Sequence, residues 1–281
     1  MDKIKPIFKD KTPTIEQLVE KFQQLNTLMV QKMQSMGKDN GGSGGSLDAI
    51  TEHPYYPNTL PIYNYTPSTY SKTQIAVALG IPILLVSLLS LKFISKTNYT
   101  LEKRKGMRPL TILDRLGVVW LLIGGLIRIV FGGYFAVYHK NIASDGTIFG
   151  DVYREMGYVD SRYLINDPLI ITLETLMAVF VGPLCILTAI SILRGYHPIR
   201  HTLQFLATSL QLHIVAIYMG TNILSKFNHT HPDPKYLWRY SASAGLAWVL
   251  VPLLLFAQSA HAIVVTFKHE QKPIVAPKKQ N

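Results

Sequence analysis

Residues 126–135 read LIRIVFGGYF and place Arg128 near the middle of an apolar run from about Leu116 to Tyr138. A permanent cation at the depth of a bilayer is costly, and such residues mark ligand or proton pathways by default. Other polar side chains stand in comparable apolar runs: Glu174; then Gln204, Gln211, His213 and Asn222; then Gln258 and His261, with Trp248 deeper in the same run. Glu174 and His213 are types that give and take protons. An arginine stays protonated and acts as a fixed charge. Gly132 stands one helical turn beyond Arg128, which predicts open space beside the guanidinium. The simplest arrangement is a helix bundle with an internal polar cavity, where Arg128 pairs with Glu174 or with backbone carbonyls. That pair reads either as an ion pair that fixes packing or as a ligand or catalytic site. His213 reads either as a packing residue or as an acid–base group.

The elements that must position these residues are membrane helices. The chain has 281 residues, of which 48% are hydrophobic and 16% charged, against roughly 25% charged in soluble domains. Five runs reach the ~20 mostly apolar residues that a transmembrane helix needs: 75–94, 116–138, 169–193, 202–224 and 241–267. The predicted fold class is therefore all-α, a polytopic membrane helix bundle. The formal net charge of +11 would suggest nucleic acid as a partner of a soluble protein. Here the basic residues lie mainly between the runs and at the tail, where they set orientation, so the expected partner is the lipid bilayer and not nucleic acid. CxxC, HExxH, Walker and GxGxxG patterns are absent from the sequence, so no metal and no cofactor is expected. The single cysteine, Cys185, excludes an internal disulfide. The opening residues, MDKIKPIFKDKTPTIEQ, are too polar for a signal peptide.

Lysines and arginines crowd the segment between the first two runs (Lys96, Lys103, Arg104, Lys105, Arg108, Arg115). They recur between the third and fourth (Arg194, Arg200) and after the fifth (Lys268, Lys272, Lys278, Lys279). The positive-inside rule makes these segments cytosolic. The acidic stretch 139–168, with Asp145, Asp151, Glu155, Asp160 and Asp167, is then lumenal, as is the N-terminus, with the C-terminus cytosolic. The last residues, KKQN, match a dilysine retrieval signal of the endoplasmic reticulum. Sequons at Asn64 and Asn228 fall on lumenal segments, and one at Asn98 on the cytosolic side.

Residues 1–50 form a separate unit, 51–270 the membrane domain and 271–281 a basic cytosolic tail. Ile15, Leu18, Phe22, Leu25 and Met29 repeat at helical spacing, followed by the flexible linker KDNGGSGGS. This amphipathic helix suits either a membrane-lying element or a dimerisation helix, leaving a homodimer open.

The segments EHPYYPNTLPIYNYTP, GYFAVY, YREMGYVDSRYLINDPLIITLET, HPIRHTLQ and LAWVLVP occur in this order over roughly residues 52–270. Together they resemble the emopamil-binding protein family, EXPERA-domain membrane proteins that include the sterol Δ8–Δ7 isomerases of the endoplasmic reticulum. The resemblance implies a sterol or other polycyclic isoprenoid ligand and a place in sterol metabolism. It also implies an intramolecular isomerisation through a tertiary carbocation. The family is known for a histidine and a glutamate one turn apart in the second span, a glutamate in the third, and an asparagine and a tryptophan in the fifth. Carried over, the third-span glutamate is Glu174 and the tryptophan is Trp248, whose ring face suits a cation. The asparagine falls on Gly245, the histidine on Arg128 and its glutamate partner on Gly132. Tyr134 and Met177 complete the expected pocket, with His213 as a replacement acid. Arginine cannot shuttle a proton as histidine does, so the exchange points to altered chemistry. Three readings follow: an isomerase that uses Glu174, Trp248 and His213; a member that binds a sterol or amphiphile without isomerising it; or one that turns Arg128 on an acidic substrate.

Overall fold

The structure, a computed structural model, describes residues 52–103, 109–195, 197–236 and 245–270. The amphipathic helix and linker expected within 1–50 and the KKQN tail lie outside the described residues.

Every described element is helical. The principal ones are α1 (Lys72–Lys103), α2 (Ile112–Ile127), α3 (Gly133–Tyr138), α4 (Ile148–Gly157), α5 (Pro168–Leu176), α6 (Gly182–Arg194), α7 (His197–Leu224) and α8 (Leu246–Glu270). Two π-helical segments, Arg128–Gly132 and Met177–Val181, join α2 to α3 and α5 to α6. Five continuous runs are long and apolar enough to cross a membrane: Lys72–Lys103, Ile112–Asn141, Pro168–Arg194, Ile199–Leu224 and Leu246–Lys268. They overlap the five expected spans, the first two extending several residues further at both ends and the described part of the fifth starting at Leu246. Asn98 lies inside α1, where its side chain accepts a hydrogen bond from the Leu110 amide at 2.9 Å.

Local sequence explains the helix ends. Thr111 and Asp114 form a capping box at the start of α2, satisfying two amides that the helix cannot. Asp167 caps α5 ahead of Pro168, a proline tolerated where no amide is needed. Gly195 closes α6 at φ +70°, a conformation that glycine adopts without strain.

The second and third spans approach to backbone contact. A Cβ on Gly125 would stand 2.9 Å from the Gly182 carbonyl oxygen, and one on Gly182 would stand 3.0 Å from that of Gly125. Small residues at such a crossing let membrane helices pack closely where no hydrophobic effect drives them together. The core beside it holds Leu121, Val181, Cys185 and Leu255. The outer face of α1 shows Leu84, Leu88 and Leu91, as a surface in contact with lipid requires.

Each end of the bundle has its own polar lock. At one end Asp114 accepts from Arg200 on α7 and from Gln258 on α8 (2.7 Å), and Gln204 donates to Gln258 at 2.8 Å. This joins α2, α7 and α8 and accounts for Gln204 and Gln258, which therefore belong to packing. At the other end, segments before α1, around α4 and after α7 gather into a cap. Tyr55 is fully buried there, with its ring centroid 5.5 Å from Tyr65 and 4.9 Å from Tyr158. Arg154 pairs with Asp151 and donates to the carbonyls of Ile142 (3.3 Å), Ala143 (3.2 Å) and Asp145 (2.6 Å). Asp151 also accepts from the Tyr70 amide at 2.6 Å.

Two predictions concern the cap. Arg154→Met leaves Asp151 buried without its cation, at a cost of about 3–5 kcal/mol, which thermal unfolding in detergent reads as an earlier transition. Burial pushes the Asp145 carboxyl up, but hydrogen bonds from Tyr134 and Thr147 outweigh it and hold the group below the usual aspartate range. A depressed carboxylate stabilises the fold above its unfolded pKa of about 4 and loses that contribution as pH falls through the folded value. Unfolding followed from pH 6 downwards therefore shows an acid-side loss of stability that Asp145→Asn flattens.

Candidate functional site

Arg128 stands where α2 passes into its π segment and is 5% exposed. Long helical side chains lean towards the N-terminal turn, and this one folds back over Gly124. A Cβ on Gly124 would lie 2.6 Å from Nη1. The space beside the guanidinium thus comes from Gly124, one turn before Arg128. Gly132, expected to supply it, faces the third span instead, where an added Cβ would lie 3.1 Å from both the carbonyl oxygen and Oε2 of Glu174.

The guanidinium carbon sits 4.4 Å from the ring centroid of Trp248, within cation–π range. Nη2 donates to Oε1 of Gln211 at 3.0 Å. The Gln211 amide nitrogen donates in turn to the Ala207 carbonyl (3.2 Å) and the Cys185 sulfur (3.5 Å), which turns its oxygen towards Arg128. Nε and Nη1 of Arg128 have no partner among the described residues. Among the described residues, the expected pairing of Arg128 with Glu174 or with backbone carbonyls is not made. An aromatic face and one amide take its place, because the side chain leans towards the fourth and fifth spans.

Glu174 projects from α5, and its Oε1 accepts from the Tyr163 hydroxyl at 3.1 Å. Tyr163 belongs to the VDSRY segment, which forms a 3-10 turn over Ser161–Leu164. Asp160 caps that turn, grips the Arg162 guanidinium through both oxygens and accepts from Tyr218 at 2.7 Å. Burial, and then the charge of Glu174, push the Tyr163 hydroxyl well above the usual phenol range. It therefore remains a donor at neutral pH. A carbonyl within the π segment, that of Phe131, accepts from Tyr153 of α4 at 2.8 Å. The cap thus reaches both spans at the site.

Arg128, Tyr163, Glu174, Met177, Tyr218 and Trp248 line one cavity of about 150 Å³. Four residues singled out in the sequence, Arg128, Glu174, Met177 and Trp248, meet there. Gly132, His213, Tyr134 and Gly245 do not line it. His213 is exposed, with Nδ1 2.7 Å from the Ser209 carbonyl of its own helix. The inward face of α7 carries Gln204, Thr208, Gln211 and Asn222, and a residue two places past Gln211 lies about 200° round the helix. Tyr134 donates to Asp145 at 2.5 Å and stacks on Phe149 in the cap. Gly245 stands immediately before α8. Tyr163 and Tyr218 are lining residues that the sequence reading does not name. The first lies inside the quoted VDSRY motif, and the inward spacing of α7 reaches the second. On the far side of Trp248 its ring meets Trp120 at 4.8 Å, and Trp120 lines an apolar groove of about 390 Å³ between α1, α2 and α8.

Residues 149–259 match the family profile of EXPERA, the EXPanded EBP superfamily. The 3-beta-hydroxysteroid-Delta(8),Delta(7)-isomerase of Cavia porcellus is 30% identical over 210 residues, which cover 74% of this chain and 87% of the relative. A protein of Oryza sativa subsp. japonica named "Probable 3-beta-hydroxysteroid-Delta(8),Delta(7)-isomerase" is 32% identical over 221 residues, covering 78% of this chain and 95% of the relative. An isomeliandiol synthase of Melia azedarach is 28% identical over 146 residues, covering 52% of this chain and 68% of the relative.

Gln211 provides a direct check on this geometry. Gln211→Leu removes the side-chain acceptor that the described residues give this buried guanidinium, a charged hydrogen bond contributing about 1.5–3 kcal/mol. The expected result is an earlier thermal transition for the variant in detergent, and an unchanged transition would contradict the assigned contact.

Proposed function

The chain belongs to the EXPERA family of the expanded EBP superfamily, and from that premise we propose that it is a sterol-isomerase-type enzyme of the endoplasmic reticulum membrane. Its substrate is a sterol or related polycyclic isoprenoid, and it moves a double bond by proton transfer. Relatives that align over most of their length are named as Δ8–Δ7 isomerases, which supports the substrate class. The arginine and lysine bias of the segments opposite the cap supports a lumenal cap and a cytosolic C-terminus.

The observation that carries the reading is the Tyr163–Glu174 hydrogen bond at the wall of the cavity. Glu174 in its acid form gives its proton to one alkene carbon, the π electrons forming the new C–H bond. The carboxylate then faces the carbocation in an apolar setting, where opposite charges attract strongly. A neighbouring C–H bond supplies the electrons of the new double bond, and its proton returns to the carboxylate. Tyr163, a standing donor, steadies the carboxylate between the two steps. Arg128 has no proton to lend and acts only as a fixed charge. A second reading, ligand binding without isomerisation, is favoured by the Arg128–Trp248 stack, which occupies an aromatic face that a carbocation would otherwise use.

The test is expression in yeast lacking its own sterol isomerase, grown in deuterated water, with sterols analysed by mass spectrometry. The proposal expects Δ7 sterol carrying newly incorporated deuterium. Glu174→Gln lowers its formation by about 10²–10⁴-fold, as loss of a general acid does, and Tyr163→Phe by a smaller factor. Accumulated Δ8 sterol, with the protein present in membranes, would exclude isomerisation of that substrate and favour the second reading.

A further inference from the structure

Four arginines are buried among the described residues: Arg128, Arg154, Arg162 and Arg200. Three of them have an aspartate. Arg154 pairs with Asp151, Arg162 with Asp160 and Arg200 with Asp114. Arg128, at 5% exposure, is the exception. It holds one hydrogen bond, to a neutral amide, and the face of Trp248. Its Nε and Nη1 are buried and without a partner among the described residues. A guanidinium has five N–H donors and no acceptor, so the rest call for an acceptor that the described residues do not supply. Burial of a cation deep in an apolar bundle is costly unless an anion accompanies it.

Among the described residues no carboxylate hydrogen-bonds to Arg128. Asp160 is gripped by Arg162 and Tyr218. Glu174 accepts from Tyr163, and its other oxygen lies against Gly132. Both Arg128 and Glu174 line the same cavity of about 150 Å³. That volume is below the ~300–1,000 Å³ of sites that enclose a small molecule, so it suits one end of a polycyclic ligand rather than all of it.

We propose that this cavity receives the acidic end of a polycyclic isoprenoid, whose carboxylate accepts from the free N–H groups of Arg128. The inference rests on the reading that the cavity takes a polycyclic isoprenoid and adds the chemical group that selects it. Gly124 keeps the guanidinium in place, since a side chain there would occupy the position of Nη1. With the ligand's charge offsetting Arg128, a second carboxylate beside it is unfavourable in a low-dielectric site.

The test uses the full chain, purified in detergent and reconstituted in nanodiscs. The probes are 3β-hydroxy-5-cholenic acid, its methyl ester and cholesterol, with binding read from tryptophan fluorescence. The acid is expected to bind at least tenfold tighter than the ester. Arg128→Gln should abolish that preference, weakening the acid at least tenfold more than the ester, and Gly124→Ala, which retains the charge but crowds Nη1, should reduce it. Equal affinity for acid and ester in the unaltered protein would overturn the proposal and leave the sterol-class reading standing. Preference for the acid that survives in a folded Arg128→Gln protein would also overturn it. Failure of all three probes to bind would overturn both. The acid–ester comparison in the unaltered protein decides the matter even if Arg128→Gln does not fold.

Discussion

A guanidinium that cannot lose its charge is held deep among apolar helices, and much of the local architecture answers to that. Glycine at 124 gives the group somewhere to lie, and a tryptophan offers its ring face. A glutamine is turned the right way by a carbonyl and a sulfur on its other side. Without these contacts Arg128 would have to leave the bundle or lose its solvation uncompensated, and bundles of this kind tolerate neither readily. The same surroundings give the guanidinium no paired carboxylate among the described residues, which separates it from the three buried arginines that pair with aspartates.

Arg128 can face Glu174 across a cavity because the second and third spans touch backbone to backbone at Gly125 and Gly182. Both helices pass into π-helical segments close to that contact, at Arg128–Gly132 and Met177–Val181. Such segments widen the turn and often accompany functional sites. The closeness of the two spans, together with the Asp114–Arg200–Gln258 lock at the far end, leaves little freedom in how the cavity walls are placed.

Much of this was readable from the sequence, for identifiable reasons. Hydropathy alone located the five spans, because each must hide its backbone from lipid over a fixed length. Arg128 and Glu174 stand out as charges in apolar runs, Trp248 and Met177 through the family resemblance, and all four line one cavity. The direction of side chains was less legible. Gly132 looked like the residue beside Arg128 because it is one turn away, yet a helical side chain leans the other way, over Gly124. His213 drew notice as a proton-carrying type, while the buried set Gln204, Thr208, Gln211 and Asn222 already marked the opposite face of α7 as the inner one. Tyr163 lay in a loop without periodicity, so no pattern of spacing could bring it to Glu174. Only the folded turn capped by Asp160 does so.

The contact between Tyr163 and Glu174 crosses the boundary between the bundle and the cap. Helices enter a membrane one after another as the chain is made, but this contact needs more than insertion. The VDSRY turn is tied to the segment that follows the fourth span, through Ser161 and His229, so it takes its place only after most of the chain has been synthesised. The site is therefore a late product of biogenesis. A chain arrested or mispaired before that stage would hold its spans in lipid and still lack a finished cavity, so that competence and completeness of assembly arrive together.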